Sequence, residues 1–297
     1  MCPLAKCLLL LTAAYAASSQ NVGKEVTFHL YTRTNPTVSQ VLVADPNVIM
    51  TSTFGATVRT IITIHSEGDS FVDFNSNVVQ AHLQAENVNV LTVDWRHLAK
   101  TYTGGLATIN DCANAVSEFV NILRSFFSYQ PSQIRIVGYG LGAYVAGVAA
   151  RQINGDISHI VALDPSFHGW THHPDRLGPD AASLVEVIHT SAGVRGYDRP
   201  LGHIDFYANG GVQQPACGSD ALCSQRYSYI YYAESITAAA STDAAKFVGT
   251  ACDNYQDAMK LTCSGDRNVV FGGTGTKPVT SGIYYFRTRS SAPFAQN

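Results

Sequence analysis

The chain carries little charge and no run of it. Only 14% of its 297 residues are Asp, Glu, Lys or Arg, the net charge is -3, and the lysines and arginines are scattered. Without a basic patch it lacks the electrostatic footprint that nucleic acid or an anionic membrane requires. No apolar run reaches the roughly 18 residues that cross a bilayer, so no transmembrane segment is expected. No Cys/His spacing suits zinc, and His172-His173 has no carboxylate or cysteine at ligand spacing, so neither metal nor cofactor is expected. Asn35-Pro36-Thr37 has proline where a glycosylation sequon forbids it. A Pro/Gly/Ser-rich linker and internal repeats are missing as well, which points to a single domain.

What is present is apolar. Ala, Val, Ile, Leu, Met, Phe, Trp, Tyr and Cys make up 46% of the chain, enough for a large buried core. The first residues have the layout of a secretory signal: Lys6, an apolar stretch from Cys7 to Ala14, and a small-residue cleavage site at Ala14-Tyr15-Ala16. That reading assigns residues 1–16 to a signal peptide, residues 17–297 to the mature domain, and the protein to the extracellular space. In that oxidising compartment the close sequence pairs, Cys217 with Cys223 and Cys252 with Cys263, are the natural disulfides. Cys112 is left over inside an apolar-periodic stretch and is expected to be a buried, inert thiol.

Runs rich in Val and Ile alternate with helical patterns. The strand-like runs are Val26 to Tyr31, Val58 to Ile64, Val88 to Val93, Ile134 to Val137, Ile160 to Leu163 and Leu184 to Ile188. Helical periodicity covers Asn75 to Glu86, Ala107 to Phe127 and Leu141 to Gln152. Continuous β-branched strands separated by amphipathic helices predict an α/β fold, its mostly parallel central sheet flanked by helices. In such sheets active sites gather at the carboxyl ends of the strands.

One of those ends has a distinctive turn. Ile134 to Gly142 reads IRIVGYGLG and runs into a helical pattern. Strand, tight glycine turn and helix is the layout of a hydrolase nucleophile elbow, Gly-x-Ser-x-Gly, with Gly138 and Gly142 as the outer glycines. The nucleophile position is then Gly140, which has no side chain. Glycine turns of this kind also bind phosphate, but a dinucleotide fingerprint needs a third glycine where Ala143 stands. Asp156 or Asp164 would be its acidic residue.

Longer motifs bear on this choice. FNSN (Phe74 to Asn77), VDW (Val93 to Trp95), VGYGLGAYVAG (Val137 to Gly147) and ALDPS (Ala162 to Ser166) are followed by VIHT (Val187 to Thr190). GHIDFYANGG (Gly202 to Gly211), YYAESI (Tyr231 to Ile236) and GIYYFRT (Gly282 to Thr288) complete the series. In these motifs and their order the chain resembles the pancreatic-type (neutral) lipases, above all the compact insect members, which include phospholipases and the non-catalytic yolk proteins. The resemblance implies an α/β-hydrolase fold without the C-terminal β-sandwich of longer relatives.

It also implies a Ser-Asp-His triad, and here two members are missing. The serine position is Gly140. The acid position is Asp164, which without its histidine is expected to cap a turn or pair with a backbone amide. The histidine position is Gln225, after Cys223-Ser224, and an amide does not take a proton near neutral pH. The oxyanion hole is altered as well: Leu141 keeps its backbone amide, but Ser66 and Glu67 stand where relatives have Gly and an aromatic residue. A carboxylate there opposes a developing oxyanion. His189 and His203 are expected to be packing or hydrogen-bonding residues. Losing the nucleophile or the histidine alone costs a serine hydrolase roughly a millionfold in turnover.

The lid between Cys217 and Cys223 is only Gly218 to Leu222, so the cleft is expected either to be open to a lipid or acyl ligand or to be filled by Tyr139, Tyr144, Tyr227 and Tyr229. Three functions follow from these readings. The first is a secreted, non-catalytic homologue that binds, carries or stores lipid. The second is an active carboxylic ester hydrolase with non-standard residues. The third is a surface recognition scaffold without a ligand.

Overall fold

The computed structural model describes residues 25–296, apart from 69 and 279. The expected signal peptide lies outside the described residues. One eleven-stranded sheet runs through the molecule in the order β10-β9-β11-β8-β7-β6-β5-β3-β4-β1-β2. Its parallel centre comprises β3 (Thr60–Ile64), β4 (Asn89–Asp94), β5 (Ile134–Tyr139), β6 (His159–Leu163), β7 (Val185–His189), β8 (Ile204–Ala208) and β11 (Gly282–Phe286). Antiparallel strands β1 (Thr27–Tyr31) and β2 (Gln40–Leu42) flank it on one side, and β9 (Val248–Cys252) and β10 (Arg267–Val270) on the other.

Every residue of β3 to β8 is buried, because helices cover both faces. Successive side chains point to opposite faces, so Ile62, Ile64, Leu91 and Ile136 join one core while Ile61, Val90, Val137 and Val161 join the other. Helices α4 (Ile109–Phe127) and α5 (Gly142–Gln152) cover the first face; α2 (Ser70–Ala85) and α6 (Ala221–Ala239) cover the second. Short helices α1 (Pro46–Met50), α3 (Tyr102–Ala107) and α7 (Tyr255–Lys260) are also present among the described residues.

All six sequence-predicted strands are present, with ends within two residues. Two helices differ. The first begins a turn earlier, at Ser70 rather than Asn75. The second begins at Ile109 rather than Ala107, because the Thr108 N–H and hydroxyl turn back to carbonyls of the separate helix α3. Strands β2 and β8 to β11 and helices α1, α3, α6 and α7 were not anticipated.

Both anticipated disulfides are formed, Cys217–Cys223 and Cys252–Cys263, with Cα separations of 5.5 and 4.9 Å. Cys112 is free and buried against the first face, where burial raises its thiol pKa. No helix among the described residues is long and apolar enough to cross a membrane.

Candidate functional site

The turn between β5 and α5 has the elbow geometry that its glycines predict. Gly140 lies in the left-handed region at φ +55°, immediately after the strand. The outer glycines are there because backbone passes against backbone: a Cβ on Gly142 would lie 2.1 Å from the Ile64 carbonyl oxygen, and one on Gly138 would lie 2.4 Å from that of Gly142. The strand-to-helix crossing is therefore as tight as a nucleophile elbow demands.

A second side chain occupies the place of the missing one. A Cβ on Gly140 would lie 2.2 Å from Ser66 Oγ and 2.7 Å from Ser66 Cβ. Ser66 arrives from the loop after β3, and its Oγ accepts the Leu141 N–H at 3.1 Å. This is the amide expected to serve an oxyanion, and it already has a buried partner.

The chain of polar contacts continues outward. The Ser66 hydroxyl donates to Glu67 Oε2. Glu67 Oε1 accepts Arg195 Nη2 at 2.8 Å, and Arg195 Nε donates to Gln225 Oε1 at 2.7 Å. Gln225 Nε2 in turn donates to the Asp164 carbonyl at 3.4 Å. Four segments at the carboxyl edge of the sheet are thus tied together: the loops after β3, β6 and β7, and the start of α6 just beyond Cys223. Arg195 is the residue that sequence reasoning passed over. Its only signal was its place in the loop after a central strand.

Asp164 follows β6 at φ +45° and is fully buried. Its Oδ1 accepts the N–H groups of Thr190 at 2.6 Å and Ser191 at 2.9 Å, and its Oδ2 accepts the Ser191 hydroxyl. Burial pushes its pKa up, against these hydrogen bonds. Gly196 packs so closely that a Cβ there would lie 2.4 Å from Asp164 Oδ1. Among the described residues no histidine hydrogen-bonds this carboxylate.

His65, His189 and His203 are engaged with other groups. His65 is buried between backbone groups: its Nδ1 meets the Ser66 carbonyl at 2.5 Å and its Nε2 accepts the Trp95 N–H at 3.3 Å. Burial lowers its pKa to about 4. His189 bridges the Tyr197 carbonyl and Asp205, both at 2.8 Å, and stacks on Tyr207. His203 Nδ1 accepts the Val185 N–H at 3.0 Å.

Aromatic rings wall the elbow. Tyr144 stacks on Trp170 with centroids 3.5 Å apart, and its hydroxyl donates to the Ser166 carbonyl at 2.5 Å. On the other face Tyr139 packs on Phe74 and edge-on to Tyr229. Tyr227 instead turns to Tyr231 and Phe294, away from these rings, because it lies on another side of α6. Helix α3 presses over the turn, since a Cβ on Gly105 would lie 2.8 Å from Leu141 Cδ1. Among the cavities of the described residues, four of about 370, 250, 390 and 490 Å³ border none of Gly140, Leu141, Asp164 or Gln225.

The family model for lipases matches residues 9–294. Pancreatic triacylglycerol lipase of Sus scrofa is 35% identical over 258 residues, which are 77% of this chain and 56% of that protein. The Homo sapiens enzyme of the same name is 34% identical over 256 residues, 77% and 54% of the two chains. A third relative, 34% identical over 253 residues (74% and 52%), is named inactive pancreatic lipase-related protein 1, from Canis lupus familiaris. The chain therefore spans a little over half the length of the relatives it matches. Its α/β-hydrolase architecture and these matches agree, and the chain belongs to the pancreatic-type lipase family.

Proposed function

We propose that this protein is a secreted, catalytically inactive lipase homologue that works by binding or storage rather than by turnover. The observation that carries the reading is Ser66 Oγ, which fills the space of the absent nucleophile and accepts the Leu141 amide. Gly140 supplies no nucleophilic atom, Gln225 supplies no base, and the donor an oxyanion needs is engaged. Ser66 is itself a poor substitute nucleophile, because attack would require it to leave that amide and would set its own tetrahedral oxyanion beside Glu67. The two disulfides and the resemblance of residues 1–16 to a signal peptide support an extracellular location.

The ligand class that suits the family's cleft is a lipid or acyl chain, and burying each methylene contributes about 0.8 kcal/mol without chemistry. Here Tyr139, Tyr144 and Trp170 pack around the elbow, and Arg195 joins Glu67 to Gln225. The closed arrangement therefore also favours the reading in which the outer surface of the fold does the recognising.

The decisive experiment is hydrolysis of short-chain and phospholipid esters by purified protein, together with labelling by a fluorophosphonate probe. Neither turnover nor labelling is expected. Inhibitor-sensitive turnover with covalent labelling overturns the inactive reading. Mass spectrometry of lipids that co-purify then separates carrier from scaffold, and a clean spectrum removes the carrier role.

A further inference from the structure

We infer that Asn154 is a site of spontaneous deamidation, converted to aspartate or isoaspartate in the folded protein. The chain has two Asn-Gly pairs, Asn154-Gly155 and Asn209-Gly210, and the fold treats them oppositely. The reaction begins when the Gly155 backbone nitrogen loses its proton to hydroxide and attacks Asn154 Cγ. The bond from Cγ to the side-chain nitrogen breaks, ammonia leaves, and a five-membered imide remains. Water then opens the imide at either carbonyl, giving aspartate or isoaspartate. The sum is amide plus water to carboxylate plus ammonium, with no redox partner. It requires solvent, an unengaged N–H and an asparagine side chain free to swing onto the backbone. A glycine in second place leaves the approach unobstructed.

Asn154 meets these conditions. It is exposed in the turn between α5 and β6, and Gly155 adopts φ +110°. Among the described residues, neither the Asn154 side-chain amide nor the Gly155 N–H takes part in a hydrogen bond; only the Asn154 backbone N–H is tied, to Asn121 Oδ1 at 3.2 Å.

Asn209 is half-buried, and both its side chain and the following N–H are engaged. Its Nδ2 donates to Gln214 Oε1 at 2.8 Å and Thr288 Oγ1 at 2.9 Å, and its Oδ1 accepts the Thr288 N–H at 2.9 Å. The Gly210 N–H is bonded to the Tyr207 carbonyl, and Gly210 is buried against the backbone of Met259. Reaction there waits on a local opening of the fold, and such openings are rare in buried, hydrogen-bonded segments.

The product is not neutral to the structure. A new carboxylate appears just beyond the C-terminal end of α5, where unpaired carbonyls disfavour negative charge, and beside Asp156. Isoaspartate also adds a backbone carbon to the turn that leads into β6, the strand that carries Asp164 at its far end.

The test is peptide mapping of the intact protein held in mildly alkaline buffer at body temperature, with isoaspartyl methyltransferase counting isoaspartate. The Asn154 peptide is expected to convert roughly tenfold or more faster than the Asn209 peptide in the native state. The two rates should converge in strong denaturant, and Asn154→Gln should abolish most of the native methyl acceptance. Equal native rates, a difference that persists in denaturant, or unchanged methyl acceptance in Asn154→Gln each overturn the inference.

Discussion

Adding a methyl at Gly140 places it on top of Ser66, and the size of the penalty follows from the geometry. The backbone at φ +55° costs a residue with a Cβ about 1 kcal/mol. The Cβ would also lie 2.2 Å from Ser66 Oγ. Relief by rotating Ser66 would break its bond to the Leu141 amide, so overpacking adds about 1–3 kcal/mol. Gly140→Ala should therefore destabilise the fold by about 2–4 kcal/mol. Ser66→Gly, which strands the buried Leu141 N–H, should cost about 1–3 kcal/mol. In the double variant the overlap is gone while the strain and the stranded amide remain, so it should be more stable than the sum of the two singles by about 1–3 kcal/mol. Urea unfolding followed by circular dichroism and tryptophan fluorescence measures all three, provided the denaturant slope is unchanged. Additivity to within about 0.5 kcal/mol would show that Ser66 does not fill the nucleophile's place.

The same overlap sets conditions on reactivation: Gly140→Ser with Gln225→His should remain unlabelled by fluorophosphonate, and labelling should appear only when Ser66→Gly and a neutral residue at Glu67 are added. Arg195→Met removes both bridges to Glu67 and Gln225; because the guanidinium is partly exposed, the loss should be only about 1 kcal/mol, diminishing in high salt, as salt-dependent thermal melts would reveal. Acid titration of stability should fall in two stages. His65 and His159 are held near 4 by burial, so the unfolded chain takes up their protons first and stability drops as pH falls from about 6.5 to 4. Glu186, buried against Lys277 and held at about 2, then takes up its proton in the unfolded chain first, and its contribution is lost as pH falls from about 4.5 towards 2. In Lys277→Met the second stage should shift to higher pH; an unchanged profile by equilibrium unfolding would refute that assignment.

What the sequence disclosed and what it concealed divide along physical lines. Strands β3 to β7 are legible because burial on both faces favours runs rich in Val and Ile. The elbow is legible because backbone contact at Gly138 and Gly142 excludes any side chain. Helix α6 escaped notice because its core side is built from Tyr229, Tyr231, Tyr232 and small residues, which blur the apolar period. Helix α3 was hidden because its six residues, Gly104 and Gly105 among them, are too few to set up an apolar period, and Thr108 closes it off from α4. Arg195 was invisible because its partners are remote: Glu67 lies 128 residues earlier in the chain and Gln225 lies 30 later. A composition of scattered charges gives no sign that Glu67 and Arg195 converge.

Strand β11 lies between β8 and β9, both of which precede it in the chain, and it is parallel to the first and antiparallel to the second. The hairpin of β9 and β10 consequently has no neighbour to dock on until Gly282–Phe286 arrives. During synthesis the growing protein carries an unsatisfied strand edge at β8 and a detached hairpin, both vulnerable to pairing with other chains. The last central strand acts as a keystone, and helpers that shield nascent edges would be needed longest at this seam.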